Sequence, residues 1–393
     1  MTSLRDIVES PRETAEASRD IVEAPPQGRV PETEAAFSMQ EKEAPQPLAP
    51  APWDWGAVRR VLVVRLRSIG DTVLATPSLF ALKRFLPHAR VDILVEDWVA
   101  PLLTNHPHVD NVVVMERGGL APRMHTAREL RAERYDVVYN LHGGTTATFL
   151  TRATGARHRV GLKTYQYAGL HNELVPSPLL LWGQQKIHSV EQQLALLGWT
   201  GVPVTDRPRT TLGISPVAAE SVHQYLAVAG LADRKVALIH PAAAFETKRW
   251  ATENFARVAE YLAERGCAPV AIAAPHEGEV IDELLSEASV KIVSLELSLP
   301  EVTALAARSQ IFVGNDSGIA HIAAAVGTPS VVVFGSSNTA HWRPWNRAAA
   351  QVVFEEMPCQ PCHGYFCEKF PQPECILRVP VTRVVAAIER CLN

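Results

Sequence analysis

Three short stretches of the chain gather the residue types that carry out group transfer. The first is Arg67-Ser68-Ile69-Gly70-Asp71, between an apolar run and a helical pattern. A carboxylate at a helix N-terminus is stabilised in its charged form. Asp71 is therefore either a helix cap or a general base for a hydroxyl nucleophile. The second stretch runs from His240 to Trp250 and holds Lys248 and Arg249. These cations can neutralise phosphate charge, or they form a solvated basic turn packed by Trp250. The third is Gly314-Asn315-Asp316-Ser317-Gly318, with His321 one turn further on. A helix opening there leaves backbone N–H groups unpaired at the positive end of its dipole, and Gly318 has no Cβ to keep a ligand away. Such an end suits a phosphate or diphosphate. The plainer reading makes Asp316 or Ser317 an N-cap. A cation and a helix N-terminus on one site would suit a diphosphate leaving group.

A fourth group is Cys359, Cys362, Cys367 and Cys375, spaced C-x2-C-x4-C-x7-C in a loop rich in Pro, Gly and aromatics. Four thiolates this close could hold a structural zinc or iron ion, with His363 as a substitute ligand. The alternative is four reduced, packed thiols. The remaining cysteines, Cys267 and Cys391, read as packed.

These stretches need elements to position them, and the hydrophobic pattern supplies two series. Apolar strands at 59–66, 91–95, 111–115 and 137–141 alternate with helical stretches at 72–85, 98–104 and 122–134. After a Pro- and Thr-rich linker at 201–216, strands at 236–240, 270–274, 291–295, 311–313 and 330–334 alternate with helices at 252–265, 277–288 and 298–307. Such alternation predicts parallel sheets covered by helices on both faces. Two similar α/β domains predict a cleft, with ligand loops at the C-terminal strand ends. Each stretch above follows a strand. Residues 163–185 read as irregular surface and are the candidate acceptor-facing or membrane-facing region.

Residues 1–56 read differently. The first 50 hold 10 acidic and 5 basic residues. This acidic, Pro- and Ala-rich tail predicts disorder, since it has little apolar surface to offset its ordering entropy. Similar pairs of apolar residues recur between Leu4 and Val22, a pattern that chance explains. The net charge of the chain is −4, which argues against a nucleic-acid partner. No apolar run reaches the roughly 18 residues of a spanning helix. The start lacks the apolar core of a secretory signal, so a cytoplasmic location is expected.

Taken together, VLVVRLRSIGDTVLATPSL, HPAAAFETKRW and GNDSGIAHIAAAVGTPSVVVFG resemble glycosyltransferase family 9, the ADP-heptose heptosyltransferases, over about residues 58–390. The resemblance implies a GT-B fold: an acceptor-binding Rossmann-like domain over 57–205 and a nucleotide-sugar-binding one over 206–393, the latter carrying the Cys-rich loop 359–375. It implies inverting heptose transfer from ADP-heptose to a lipopolysaccharide core or other glycan hydroxyl, with no catalytic cofactor. By the same resemblance Asp71 is the general base and Lys248 binds phosphate. Asp316 contacts the donor sugar, Ser317, Gly318 and His321 lie at the diphosphate, and Glu277 or Glu279 reaches the ribose. A glycolipid acceptor would bring the enzyme to the inner membrane face as a peripheral protein.

Three positions depart from the family pattern. Ala242 stands near an expected glycine, Ala273-Ala274-Pro275 replaces a common Gly-Gly-Pro, and Asn140 replaces a frequent aspartate. They bear on the donor more than on the reaction. A GT-B sugar-nucleotide epimerase and a catalytically silent nucleotide-sugar binder are the competing readings. A nicotinamide dehydrogenase is excluded by the lack of G-x-G-x-x-G after either first strand.

Overall fold

The computed structural model describes residues 44–345, 350–362 and 364–392. The first half contains β1 (Arg60–Val64), α1 (Ile69–Phe85), β2 (Arg90–Glu96), β3 (Asn111–Met115), α2 (Leu120–Ala132), β4 (Val137–Asn140), α3 (Thr145–Ala153), β5 (His158–Leu162), β6 (Glu173–Val175), α4 (Pro178–Trp182) and α5 (Ser189–Trp199). The second contains α6 (Pro216–Val228), β7 (Lys235–His240), α7 (Thr252–Glu264), β8 (Cys267–Ile272), α8 (Gly278–Glu287), β9 (Val293–Leu295), α9 (Leu299–Arg308) and β10 (Ile311–Asn315). It continues with α10 (Gly318–Ala325), β11 (Ser330–Phe334), α11 (Thr339–Trp342), β12 (Ala350–Phe354), α12 (Glu374–Leu377) and α13 (Val381–Leu392).

The first sheet has the order β3-β2-β1-β4-β5-β6 and the second β12-β11-β10-β7-β8-β9, with every pairing parallel. Each is a doubly wound sheet whose strand order reverses beside its first strand. The reversal points lie between β1 and β4 and between β7 and β10. The sheet centres are buried on both faces, as β1 shows: Val61, Leu62, Val63 and Val64 are all fully buried. Val61 and Val63 face α1 and α5, in an apolar cluster that continues into the second domain through Phe312, Ala320 and Ile322. Leu62 and Val64 face α2 and α3, in a separate cluster with Leu130, Ala147 and Leu150. The first domain therefore joins its neighbour through the α1 face and leaves α2 and α3 on the outside.

Residues 44–56 depart from the expected disorder. The Val204 N–H donates to Gln46 O at 2.9 Å, and the Leu48 N–H to Gly198 O at 2.9 Å. Trp53 stacks on His158 at 4.1 Å, and Trp55 Nε1 donates to Thr200 O at 2.8 Å. Leu48 and the two tryptophans supply apolar surface that the tail's average composition conceals. The pattern between Leu4 and Val22 lies outside the described residues.

Residues 163–185 are also more regular than their composition predicts. Glu173–Val175 adds β6 to the sheet edge, and Pro178 starts α4 at a position where its missing N–H costs no helical bond. The expected helix at 98–104 is a single 3-10 turn, Ala100–Leu103.

Candidate active site

The starts of α1 and α10 face each other across the domain junction. A Cβ built on Gly70 would lie 2.8 Å from the His321 ring, and one on Gly318 would lie 2.6 Å from Ile69 Cβ. Only residues without a side chain allow this approach. The helix starts that carry Asp71 and the Ser317-Gly318 pair are thus brought together, as the cleft expectation required.

On the α1 side, Ser68 stands at the N-cap position but makes no side-chain cap bond. Its hydroxyl donates instead to Asp71 Oδ2 at 3.2 Å. Asp71 is not the cap either: its Oδ1 forms an ion pair with Arg65 Nη2. Arg65 is itself buried and donates Nη1 to Leu141 O at 2.5 Å. Burial alone would raise the Asp71 pKa; the Arg65 charge and the Ser68 bonds outweigh it and hold the carboxyl below its ordinary value. Asp71 is therefore ionised at neutral pH.

The loop after β4 completes this side. Asn140 is fully buried, and its Oδ1 accepts from the Gly143 N–H at 2.9 Å and the His142 N–H at 3.1 Å. The Asn that replaces the expected aspartate thus shapes a His-Gly-Gly turn ahead of α3. Burial first, then the Arg65 charge, pushes His142 down to about 3, so it is neutral beside Asp71. Sequence reasoning passed over Arg65 and His142. Both had a signal: Arg65 is a charge at the end of an apolar strand, and His142 follows the strand at the reversal point.

On the α10 side, Ser317 occupies the N-cap position without a side-chain cap bond, and no acidic residue lies in the first turn. The capping alternative for Asp316 and Ser317 is not what the structure contains. Asp316 is buried, accepting from Lys248 Nζ at 2.9 Å and from Ser337 Oγ at 2.5 Å on the same oxygen. Ser317 Oγ lies 3.3 Å from His240 Nδ1. Lys248 Nζ lies 5.1 Å above the Phe245 ring. Asn315 fixes the loop that carries this lysine: its Nδ2 donates to Pro241 O at 2.7 Å and its Oδ1 accepts from the Trp250 N–H at 3.1 Å. Trp250 is fully buried and anchors the end of that loop through Val379 O. Lys248 is thus a positioned cation and not a solvated turn.

His321 lies between the two sides. It is buried, and its Nδ1 has no hydrogen-bond partner among the described residues. Burial lowers its pKa against the opposing pull of Asp316 and Asp71, which leaves it neutral. Glu277 lies near enough to His240 to act on its charge, but its own Oε2 accepts from the Ala274 N–H at 3.0 Å. Glu279 is exposed on α8 and makes no hydrogen bond or ion pair among the described residues.

The structure gives the metal expectation at the cysteines no support. Cys359, Cys362, Cys367 and Cys375 line one cavity of about 330 Å³ with Thr247 and Phe366. Among the described residues, however, no group of three or more His, Cys, Asp or Glu side chains is arranged to hold a metal ion. Burial and the neighbouring sulfurs push Cys375 up to about 11. His363 lies outside the described residues. The loop braces the phosphate side: Thr247 Oγ1 donates to Gly364 O at 3.1 Å, beside Lys248.

A family model described as glycosyltransferase family 9 (heptosyltransferase) matches residues 123–370. Among curated relatives, lipopolysaccharide heptosyltransferase 3 of Escherichia coli is 28% identical over 347 residues, which cover 83% of this chain and 97% of that protein. Lipopolysaccharide heptosyltransferase 2 of Escherichia coli K12 is 26% identical, covering 75% and 87%. The structure of the E. coli ADP-heptose lipopolysaccharide heptosyltransferase II superposes with a TM-score of 0.71 at 22% identity, over 85% of this chain and 98% of that one. E. coli heptosyltransferase WaaC with ADP gives 0.63 at 20% identity, over 84% and 99%.

Proposed function

This chain belongs to glycosyltransferase family 9, a glycosyltransferase of GT-B architecture, and from that premise we propose that it moves heptose from ADP-heptose to a hydroxyl of a lipopolysaccharide-type acceptor. The single observation that carries the reading is the pairing of two helix starts, one holding an ionised carboxylate and the other an uncapped end beside a lysine. The names of the relatives support the donor and the acceptor class. The matched span begins after Asp71 and Arg65, so their roles rest on geometry.

In the proposed reaction the acceptor oxygen attacks the anomeric carbon from the Asp71 side. The new C–O bond forms as the bond to the diphosphate oxygen breaks, and its electron pair leaves with ADP. A carboxylate held low by Arg65 is a weak base in the ground state. It takes the proton as the attacking oxygen becomes positive, when proton transfer is downhill. Lys248 and the first N–H groups of α10 receive the charge that builds on the diphosphate. Lys248 is tied to Asp316 before donor binds; diphosphate would share it and leave Asp316 for sugar hydroxyls. Ser317 and His321 border the same helix start. Glu277, near enough to His240 to act on its charge, fits the ribose role better than the exposed Glu279. We place the reaction at the cytoplasmic face of the inner membrane, where a lipid-anchored acceptor would be presented. Among the described residues no helix is long and apolar enough to cross a membrane.

Calorimetric titration with ADP, UDP and GDP tests the donor. Selective ADP binding is the expected result; selective UDP or GDP binding would keep the fold and overturn the donor.

A further inference from the structure

The outward sides of α2 and α3 face away from the catalytic junction and are not covered by any described part of the chain. On α2, Leu120, Met124, Arg128 and Arg131 follow one another at spacings of four, four and three, which places them on one face. On α3, Phe149 and Arg152 stand three apart. All six are exposed, Leu120 to 73% and Phe149 to 52%. Arg128, Arg131, Phe149 and Arg152 line one open cavity of about 560 Å³ between the helices.

The charge there is unbalanced. None of these three arginines makes an ion pair or hydrogen bond among the described residues. The two acidic side chains of the same turns are engaged elsewhere: Glu129 meets His125 at 3.1 Å, and Glu133 meets Arg60 at 2.8 Å and Arg90 at 3.2 Å. The Arg131 guanidinium lies against the bare backbone of Gly155, where a Cβ would clash at 1.2 Å. Three cations converge on an opening with no internal anion, in a chain whose net charge is −4.

The order of residues along the helices gives the surface a direction. Both helices start at the C-terminal ends of their strands, the edge that holds Asp71, and run away from it. On α2, Leu120 and Met124 lie in the first half and Arg128 and Arg131 in the second, and on α3 the central Phe149 precedes Arg152. An apolar margin beside the catalytic edge with a basic field behind it matches a bilayer surface, where apolar side chains enter between lipids and arginines meet headgroup phosphates. A soluble polyanion would use the arginines and leave Leu120, Met124 and Phe149 in water.

We infer that the α2–α3 face docks the protein on an anionic phospholipid surface, with the catalytic edge at the rim of the docked face. The inference rests on the proposed reaction only in that a lipid-anchored acceptor would then be delivered to the Asp71 side of the junction.

The test is sedimentation with vesicles of phosphatidylcholine alone and of phosphatidylcholine with about one third phosphatidylglycerol. Wild type should bind the anionic vesicles and not the neutral ones. The combined variant Arg128→Gln, Arg131→Gln, Arg152→Gln should lose on the order of 100-fold in partitioning, given the usual contribution of a basic residue at an anionic surface. Phe149→Ser should lose several-fold without changing the salt dependence. Equal binding by wild type and the triple variant, or binding to heparin with none to anionic vesicles, would overturn the inference. Thermal unfolding checks that the exposed substitutions leave the fold intact. ADP titration of the triple variant should be unchanged, so failure of ADP to bind even to wild type would count against the donor reading and leave the vesicle result standing.

Discussion

α1 and α10 both start beside the strand-order reversal of their sheets, after the first strand in one and the fourth in the other, and their first turns carry opposite electrostatics. α1 holds its own carboxylate: Asp71 lies in the first turn and is paired with Arg65. α10 has no acidic residue in its first turn; its nearest carboxylate, Asp316, lies ahead of the helix and is held by Lys248. The positive end of α1 is thereby occupied from within, and that of α10 is left for an anion from outside. In the proposed reaction one helix start then serves the base and the other the leaving group. The difference lies in where one acidic residue falls relative to the helix start.

Removing the internal anion should break this contrast most severely. Asp71→Asn keeps the size and the Ser68 contact but cannot accept a proton; transfer should fall by about 10³-fold, measured as ADP release with acceptor present. Lys248→Met strips the cation from the other side and should lower turnover by roughly 10²-fold. Retention of more than half the wild-type rate by either variant would remove that residue from the account.

Arg65 sharpens the comparison without touching substrate. In Arg65→Met the Asp71 carboxyl loses the charge that holds it low, so the acidic limb of the kcat/KM profile should move to higher pH. Arg65→Lys should restore most of that shift. A lower rate with an unmoved limb would make Arg65 merely a packing residue.

The smallest effect concerns the junction that holds the two sides together. His188 caps α5 and reaches Arg343 O in the second domain at 2.7 Å. Burial lowers its pKa to about 3. The unfolded imidazole takes a proton below about pH 6.5, while the folded one does not. His188 therefore costs stability as pH falls from about 6.5 toward 3, by up to about 1.4 kcal/mol per pH unit. His188→Asn can still cap the helix and should flatten that part of the stability profile, as read by denaturant unfolding at a series of pH values.

Much of this arrangement was legible in the residues. Gly70, Asp71, Lys248, Ser317 and Gly318 stood after apolar strands, and parallel winding gathers such loops on one edge. What the pattern could not give was partnership. Arg65 lies only six residues before Asp71, but the strand pattern does not show that the chain folds back to pair them, and His142 reaches the same loop across the neighbouring strands β1 and β4. The two acid candidates for the ribose, Glu277 and Glu279, were equivalent in sequence; a turn bond separates them by engaging one and exposing the other. The cysteine spacing brought all four thiols to one cavity, but among the described residues no three ligands are arranged for an ion, since spacing fixes proximity and not ligand direction. Tail composition averaged away Trp53 and Trp55, two large side chains sufficient to hold residues 44–56 against α5.

The central claim is that α1 and α10 divide the labour, and ADP titration of Asp71→Asn and Lys248→Met side by side tests it most directly. Asp71→Asn should bind ADP within about threefold of wild type, and Lys248→Met should bind at least about tenfold more weakly, the worth of one charge-assisted contact. Equal losses in both variants, or a loss confined to Asp71→Asn, would contradict the division.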